Sequence, residues 1–277
     1  MSKNFELMQR AGKLLEIEIP RPAESSAALA DPMAPALSPG IVPAISPSLG
    51  PANVPRRQSS RAVGGWTTDE AAREEAYRLV QNVFMVQKAE PPRVIVFAGI
   101  DPGNGCSTVC AHVAEALHQN LRGSICIVEA NFRTPSLPQL YGVANHFGLT
   151  DALRGEGPIR SFAKPVGKDN LYLLSCGSLA PDSNSLLNSN RLKNRFRDLR
   201  NEFDYVVVDA PPLARYSDAI ALGKNADGFV LILEANATRR EAAIQISEYL
   251  RASQVPVLGA VLNKRTFPIP EGLYRRL

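Results

Sequence analysis

The stretch Val94-Ile-Val-Phe-Ala-Gly-Ile-Asp-Pro-Gly-Asn-Gly-Cys-Ser-Thr108 decides the fold of this 277-residue chain. It joins an apolar, largely β-branched run to a glycine-rich loop, and a helical pattern begins where the loop ends. A buried strand, a glycine loop and a helix start form a cradle for phosphate, because backbone N–H groups and the helix N-terminus both attract an anion. The candidate phosphate-binding residues are Gly103, Asn104, Gly105, Cys106, Ser107 and Thr108.

Cys106 stands where a phosphate-binding loop ordinarily has lysine, directly before the Ser107 hydroxyl that is the candidate Mg²⁺ ligand. A thiol cannot make the charged contact to the β- and γ-phosphates, which is worth about 1.5–3 kcal/mol for one charged hydrogen bond. The anion-favouring backbone survives this change. Two interpretations therefore stay open: a phosphate site without its lysine, or a tight strand-to-helix turn.

The chain after Arg93 alternates short apolar runs with helical patterns, and a further helical pattern over 70–85 precedes it. The predicted strands are Val94–Ala98, Ser124–Val128, Leu171–Leu174, Tyr205–Asp209, Gly228–Glu234 and Val257–Asn263. The predicted helices between them are Ser107–His118, Arg191–Asn201, Ser217–Lys224 and Arg239–Ala252. Nearly continuous apolar strands are typical of a parallel sheet that is buried on both faces. The pattern predicts an α/β fold with an open, mostly parallel sheet flanked by helices.

Polar residues follow several of these strands. Asp209 ends a run of three valines, at the position where a carboxylate holds Mg²⁺ in phosphate-loop proteins. Glu129 and Asn131 follow another strand, and Arg133 is positioned to meet a phosphate. Asn263, at the end of the last strand, is a candidate amide contact to a nucleotide base.

Proline content divides the chain into three parts. Nine of the 22 prolines lie between Pro20 and Pro55, among Ala and Ser, so residues 20–66 are predicted to be a disordered linker. Residues 1–19 form a short N-terminal segment with two interpretations, a frayed helix or a peptide that docks into a partner. Residues 67–277 form the α/β domain.

Composition excludes several classes of function. The net charge of +4 is too small for a dedicated nucleic-acid coat, so no nucleic-acid partner is expected. No run of 18 apolar residues occurs, and the N-terminus lacks a signal-peptide pattern. The four cysteines have no zinc-ligand spacing, which favours a reduced, cytoplasmic protein.

Over residues 70 to 277 the chain resembles the bacterial tyrosine kinases of capsule and exopolysaccharide synthesis, which are relatives of the MinD/ParA-type P-loop ATPases. Pro102-Gly-Asn-Gly-Cys-Ser-Thr108 corresponds to the family's Pro-Gly-x-Gly-Lys-Ser-Thr loop, and Asp204-Tyr-Val-Val-Val-Asp-Ala-Pro-Pro212 to its Walker B stretch. Glu129-Ala-Asn-Phe-Arg133 stands where the family has Asp-x-Asp-x-Arg.

The resemblance implies ATP or ADP bound with Mg²⁺, held by Ser107 and Asp209, with catalytic positions at Asp209, Glu129 and Asn131. It implies a membrane-spanning polysaccharide co-polymerase as partner, beside which the protein works from the cytoplasm. It also implies a homo-oligomer through the 70–85 helix, in which the last Arg of the family's contact motif is Gln81. The family's C-terminal tyrosine cluster is reduced to one candidate phosphoacceptor, Tyr274.

Three functions remain open on these residues. The first is a working tyrosine autokinase with an unusual loop. The second is a non-catalytic scaffold or binding subunit of the polysaccharide machinery. The third is a MinD/ParA-like positioning ATPase. The Asp209-Ala-Pro-Pro212 stretch and the Phe267-Pro-Ile-Pro-Glu-Gly-Leu-Tyr274 tail resemble the exopolysaccharide branch and favour membership in it. The altered positions favour weakened or lost ATP turnover, because phosphoryl transfer depends on positioning and charge stabilisation.

Overall fold

The computed structural model of the chain describes residues 70–86, 90–167, 169–178, 183–187 and 190–265. The N-terminal segment 1–19, the linker 20–66 and Tyr274 lie outside the described residues. The fold below therefore concerns the α/β domain alone.

Seven strands form one sheet in the order β3-β4-β2-β5-β1-β6-β7. Their bounds are β1 Val94–Gly99, β2 Ile125–Glu129, β3 Lys164–Pro165, β4 Leu171–Leu174, β5 Tyr205–Ala210, β6 Gly228–Glu234 and β7 Val257–Asn263. Every pairing is parallel except that of β3 with β4. The predicted fold class is confirmed, and the six predicted strands agree with the observed bounds to within one residue at each end.

Helices lie on both faces of the sheet. Their bounds are α1 Glu70–Val83, α2 Cys106–Asn120, α3 Leu137–Leu140, α4 Leu149–Arg154, α5 Ser183–Leu186, α6 Asn190–Glu202, α7 Asp218–Gly223 and α8 Arg240–Ala252, with a 3-10 turn at Ile159–Phe162. The long helices agree with the sequence prediction to within two residues. Edge strand β3 and the short helices α3, α4 and α5 were not predicted, because so few residues carry too little periodicity to register. Among the described residues, no helix is both long and apolar enough to cross a bilayer.

The core consists of two apolar clusters, one on each face of the sheet. Strand β1 is buried along its whole length because its residues alternate between them: Val94, Val96 and Ala98 face one cluster, and Ile95 and Phe97 the other. This is why the strand reads as a continuous apolar run rather than an alternating one.

The order of the strands places the site. β1 lies between β5 and β6, and the chain crosses from β1 to β2 on one side and later from β5 to β6 on the other. Ligands of open α/β sheets bind where strand order reverses, at the carboxyl ends of the strands. The loop after β1 and the ends of β2 and β5 meet at that point, with Phe97 paired to Asp209 and Glu129 paired to Asp209 in the sheet register.

Candidate nucleotide site

The loop between β1 and α2 is held in a closed shape by its own residues. Gly103 and Gly105 both have left-handed backbone, with φ of 84° and 83°. Buried Asn104 accepts a 2.6 Å hydrogen bond on its Oδ1 from the backbone N–H of Asp101. A Cβ at Gly99 would stand 2.8 Å from that same oxygen, so glycine is required there by close approach. The glycines therefore shape the loop.

Helix α2 starts directly out of this loop. Gly105 is its N-cap, and no side chain from the described part of the chain caps it. The first N–H groups of an uncapped helix have no intrahelical acceptor, so this helix start favours an anion. Ser107 and Thr108 lie in that first turn, Ser107 half-buried and Thr108 exposed.

Ser107 and Asp209 are brought into direct contact. The Ser107 hydroxyl donates a hydrogen bond to Asp209 Oδ2, across the gap between α2 and the end of β5. Asp209 is fully buried, and its other oxygen, Oδ1, has no hydrogen-bond partner among the described residues. Burial raises the pKa of Asp209 to about 6, and the hydrogen bond from Ser107 opposes that rise. A hydroxyl and a carboxylate with an unsatisfied oxygen fit Mg²⁺, which takes oxygen ligands. Ser107 and Asp209 are the residues that would hold it.

Glu129 is buried beside Asp209 and is bound by the loop that follows β2. Its Oε1 accepts from the N–H of Asn131 at 3.1 Å, and its Oε2 from Ser136 at 2.8 Å and Leu137 at 2.9 Å. Burial and the nearby Asp209 carboxylate raise the pKa of Glu129 well above its usual value, while the three N–H donors lower it. The Glu129 carboxyl group therefore fixes the 130–137 loop by accepting hydrogen bonds from three of its backbone N–H groups.

Asn131 and Arg133 stand within that loop. Asn131 Oδ1 accepts from the N–H groups of Arg133 and Thr134, each at 3.2 Å. The Arg133 guanidinium lies 3.4 Å from Asp218 Oδ2, with its carbon 4.5 Å from the centre of the Tyr216 ring. The Arg133 guanidinium thus lies against Tyr216 and Asp218, which follow β5. Its contact to phosphate stays a prediction.

The last strand closes the other side of the loop. Asn263 Nδ2 donates a 2.7 Å hydrogen bond to the carbonyl oxygen of Asn104. Lys264 Nζ lies 3.1 Å from Glu234 Oε2, and Asn104 Nδ2 lies 3.5 Å from the same oxygen. A Cβ at Gly105 would stand about 4.0 Å from Lys264 Cε. A lysine therefore lies against the glycine loop, although it comes from the far end of the chain.

The Cys106 thiol points inward, toward the sheet. Its Sγ atom lies within 4.8 Å of Cys110 Sγ and of a carboxylate oxygen of Asp209. The adjacent Cys110 thiol, burial and the Asp209 carboxylate raise the pKa of Cys106 well above its usual value, and burial raises the pKa of Cys110 to about 11. Neither group is an activated thiolate in this arrangement.

Sequence reasoning missed two residues of the site, Lys264 and Cys110. Both left a signal: Lys264 directly follows Asn263, and Cys110 lies one helical turn after Cys106. Nothing along the sequence placed Lys264 beside a loop 159 positions earlier, since that contact depends on the β6–β7 pairing at the edge of the sheet.

The candidate oligomerisation helix α1 packs on the domain through Ala76, Val80 and Val83. On its exposed side, Arg78 pairs with Glu74 at 2.5 Å and with Glu75 at 3.0 Å. The motif residues Glu75 and Arg78 therefore lie on the solvent face, and whether a second copy binds there stays a prediction.

Comparison with known proteins places this geometry in a family. Residues 92–274 match the family model described as ParA, NUBPL iron-transfer P-loop NTPase. The chain is 26% identical to tyrosine-protein kinase YwqD of Bacillus subtilis, covering 73% of this chain and 86% of YwqD. It is 29% identical to tyrosine-protein kinase Wzc of Salmonella typhimurium, covering 75% of this chain and 28% of Wzc.

A third relative is the succinoglycan biosynthesis transport protein ExoP of Rhizobium meliloti, 32% identical over 62% of this chain and 22% of ExoP. The matches thus span most of YwqD but less than a third of Wzc and of ExoP. In sequence, the chain resembles the bacterial tyrosine kinases of exopolysaccharide and capsule biosynthesis.

Solved structures show the same fold. The chimerical protein CapA2B2 has a TM-score of 0.65 at 23% identity, covering 70% of this chain and 85% of that one. The kinase domain of Escherichia coli tyrosine kinase ETK has a TM-score of 0.66 at 22% identity, covering 77% and 87%. MinD of Pyrococcus horikoshii in complex with Mg-ADP is more distant, with a TM-score of 0.53 at 19% identity over 66% and 76%.

Proposed function

We propose that this chain, which belongs to the ParA family of P-loop NTPases, binds Mg²⁺ with ATP or ADP weakly and acts in exopolysaccharide or capsule production with weakened or lost phosphoryl transfer. The observation that carries the proposal is the hydrogen bond between Ser107 and Asp209 at the end of the glycine loop. It supports the proposal because a hydroxyl and a carboxylate, both oxygen groups that suit Mg²⁺, meet at the anion-favouring start of α2.

Bound Mg²⁺ would supply charge stabilisation at the phosphates. The chain's own residues would shape the phosphate site. The left-handed glycines leave the loop backbone accessible to phosphate, and Asn104 fixes the loop by accepting a hydrogen bond from the N–H of Asp101. Lys264 lies on the far side of the loop, with its Cε about 4.0 Å from where a Cβ at Gly105 would stand, and it replaces part of the missing charge if it leaves Glu234.

Weak turnover follows from what stands at three positions. Cys106 carries no charge toward phosphate. Glu129 stands at a family aspartate position with both oxygens engaged by backbone N–H groups, and Asn131 offers an amide in place of a carboxylate. Catalysis of phosphoryl transfer depends on preorganised charge, so the loss of a cation and of free carboxylates lowers the rate. Asp209, Glu129 and Asn131 remain the candidate catalytic residues, and Tyr274 the candidate phosphoacceptor.

The partner is proposed to be a membrane-spanning polysaccharide co-polymerase, beside which this protein works from the cytoplasm. The similarity to ExoP, named a transport protein of succinoglycan biosynthesis, supports this. Residues 1–19, tethered by the segment 20–66, are the proposed docking peptide, since a tether raises effective concentration. Deleting residues 1–19 is expected to release the protein from the membrane fraction. Retention of the truncated protein would contradict the docking peptide.

Calorimetry with Mg-ADP and Mg-ATP tests the nucleotide site. The natural chain is expected to bind at high micromolar to millimolar concentration, and Cys106→Lys about tenfold or more tightly, because it restores a charged contact. Cys106→Ser is the matched control: it removes the thiol without adding charge and should bind as weakly as the natural chain. Absence of binding in the natural chain and in Cys106→Lys would show that the loop is a structural turn.

Mass spectrometry after incubation with Mg-ATP tests turnover. Little or no phosphotyrosine is expected on Tyr274 or elsewhere. Abundant phosphotyrosine that disappears in Asp209→Asn would instead establish a working kinase.

A further inference from the structure

Three metal-ligating side chains converge under the glycine loop. The Sγ atoms of Cys106 and Cys110 and a carboxylate oxygen of Asp209 all lie within 4.8 Å of one another. Cys106 and Cys110 are four residues apart at the start of α2, so one helix face presents both thiols to the end of β5. Sequence reasoning, which found no zinc-ligand spacing among the cysteines, overlooked this pair. Asp209 and Cys110 are buried, and Cys106 is half-buried at the loop.

A carboxylate oxygen in this cluster is unsatisfied. Asp209 Oδ2 accepts the Ser107 hydroxyl, but Oδ1 has no hydrogen-bond partner in the described part of the chain, although the residue is completely buried. An unpaired buried carboxylate oxygen is costly, and native structures rarely leave one without a partner or an ion. The basic residues of the surrounding loops are engaged elsewhere, Arg133 with Asp218 and Lys264 with Glu234.

We propose that Cys106, Cys110 and Asp209 form a binding site for a thiophilic divalent cation of the Zn²⁺ class. Thiolate and carboxylate ligands together suit Zn²⁺, whereas Mg²⁺ takes oxygen alone. At Zn–S of about 2.3 Å and Zn–O of about 2.0–2.2 Å, tetrahedral ligand atoms stand roughly 3.5–3.8 Å apart. Small side-chain rotations bring atoms already within 4.8 Å to that separation. The Ser107 hydroxyl or a water completes the fourth position.

Binding of the ion is an exchange of protons for metal. The ion binds as the two thiols lose their protons to solvent, and Asp209 contributes a carboxylate, so one Zn²⁺ replaces two protons. No electron transfer is involved. Affinity therefore rises with pH.

This site goes beyond the proposed nucleotide function and does not depend on it. The two share Asp209, so the thiophilic ion and Mg-nucleotide are expected to compete. The residue that weakens phosphate binding, Cys106, is the one that creates the thiol pair. The substitution thus exchanges one cation chemistry for another at the same place.

Titration of the reduced full-length chain with Co²⁺ alone, without nucleotide, tests the site. Co²⁺ substitutes for Zn²⁺, and thiolate ligation gives a thiolate-to-cobalt charge-transfer absorption band. One equivalent of Co²⁺ is expected to develop the band, and Zn²⁺ to abolish it. Cys106→Ser and Cys110→Ser are each expected to weaken binding by at least about 100-fold, since even changes to groups that merely support metal ligands cost roughly 10–100-fold.

Cys126→Ser is the matched control, because Cys126 is as buried as Cys110 but lies within β2, away from the cluster. The Cys126→Ser variant should keep the absorption band. Circular dichroism spectra check that all the variants fold. If Cys110→Ser fails to fold, the half-buried Cys106→Ser decides alone. No band in the natural chain, or a band that survives Cys106→Ser, would overturn the site.

Cys106→Lys separates this proposal from the nucleotide function. It is expected to abolish Co²⁺ binding while it strengthens Mg-ADP binding. A chain that binds Co²⁺ through Cys106 but never nucleotide would keep the metal site and refute the nucleotide site. The reverse result would refute the metal site alone.

Discussion

The side-chain amide of Asn263 donates a 2.7 Å hydrogen bond to the carbonyl oxygen of Asn104, so the last strand of the sheet holds the glycine loop that follows the first. Asn104 in turn binds the N–H of Asp101 inside the loop. The loop is thus held between its own first residues and β7. Its geometry depends on the edge of the sheet as well as on its glycines.

Asn263→Ala is expected to loosen the loop and weaken Mg-ADP binding about fivefold, the equivalent of one net hydrogen bond of roughly 1 kcal/mol. Calorimetry on the Cys106→Lys background measures the change, because that variant is expected to bind Mg-ADP more tightly than the natural chain. Leu262→Ala, at an exposed neighbouring position of β7, is the control and should leave affinity unchanged. Equal effects of the two substitutions would show that β7 as a whole, and not the amide, supports the loop.

Lys264→Met is expected to weaken Mg-nucleotide binding about tenfold, because it removes the lysine that lies against Gly105. Glu234→Gln should have the opposite effect, since it frees Lys264 from its ion pair. Lys224→Met removes an exposed charge at the end of α7 and serves as the control. If Lys264→Met binds like the natural chain, this lysine stays with Glu234 when nucleotide is bound.

Asp209→Asn is expected to stabilise the metal-free protein at neutral pH. Burial raises the folded-state pKa of Asp209 to about 6, above the unfolded value, so the folded state binds the proton more tightly. Stability attributable to this group is complete below the unfolded pKa near 4 and falls as pH rises to about 6. At pH 7.5 the buried carboxylate costs about 2–3 kcal/mol, which the amide avoids.

Urea denaturation of both proteins with a chelator, at pH 4.5 and at pH 7.5, measures the difference. The variant should gain its advantage at pH 7.5 and lose most of it at pH 4.5. An advantage that does not change with pH would assign the effect to packing instead of to charge.

Arg195→Met is expected to destabilise the domain by about 3 kcal/mol. The buried guanidinium donates to the carbonyl oxygens of Ala152 at 2.7 Å, Gly155 at 2.8 Å and Gly157 at 2.8 Å, and pairs with Asp198 at 3.0 Å. Its removal leaves these acceptors without their donor, at a cost of roughly 1–3 kcal/mol for each buried one.

Thermal and urea unfolding measure that loss. The matched control is Arg197→Met, two residues further along α6 at an exposed position, where the change should stay within about 0.5 kcal/mol. Similar losses in the two variants would indicate that helix propensity or net charge, and not the buried hydrogen bonds, is responsible.

The sequence by itself determined the sheet, its parallel strands and the edge at which the site lies. Strands such as β1 and β5 are buried on both faces, and that burial is written into continuous apolar runs that can be read without a structure. The glycine loop and Asp209 were readable for a related reason, since their positions follow from the ends of those runs.

Only the tertiary structure decided which partners the side chains at that edge contact. It directs both oxygens of Glu129 to the backbone of its own loop and sets Arg133 against Asp218. It also places Lys264 beside Gly105 and brings the side chains of Cys106, Cys110 and Asp209 within 4.8 Å of one another. Periodicity records which face a residue occupies, but contacts between side chains from distant elements depend on strand order and on the packing of α2 against β5, which no local pattern encodes.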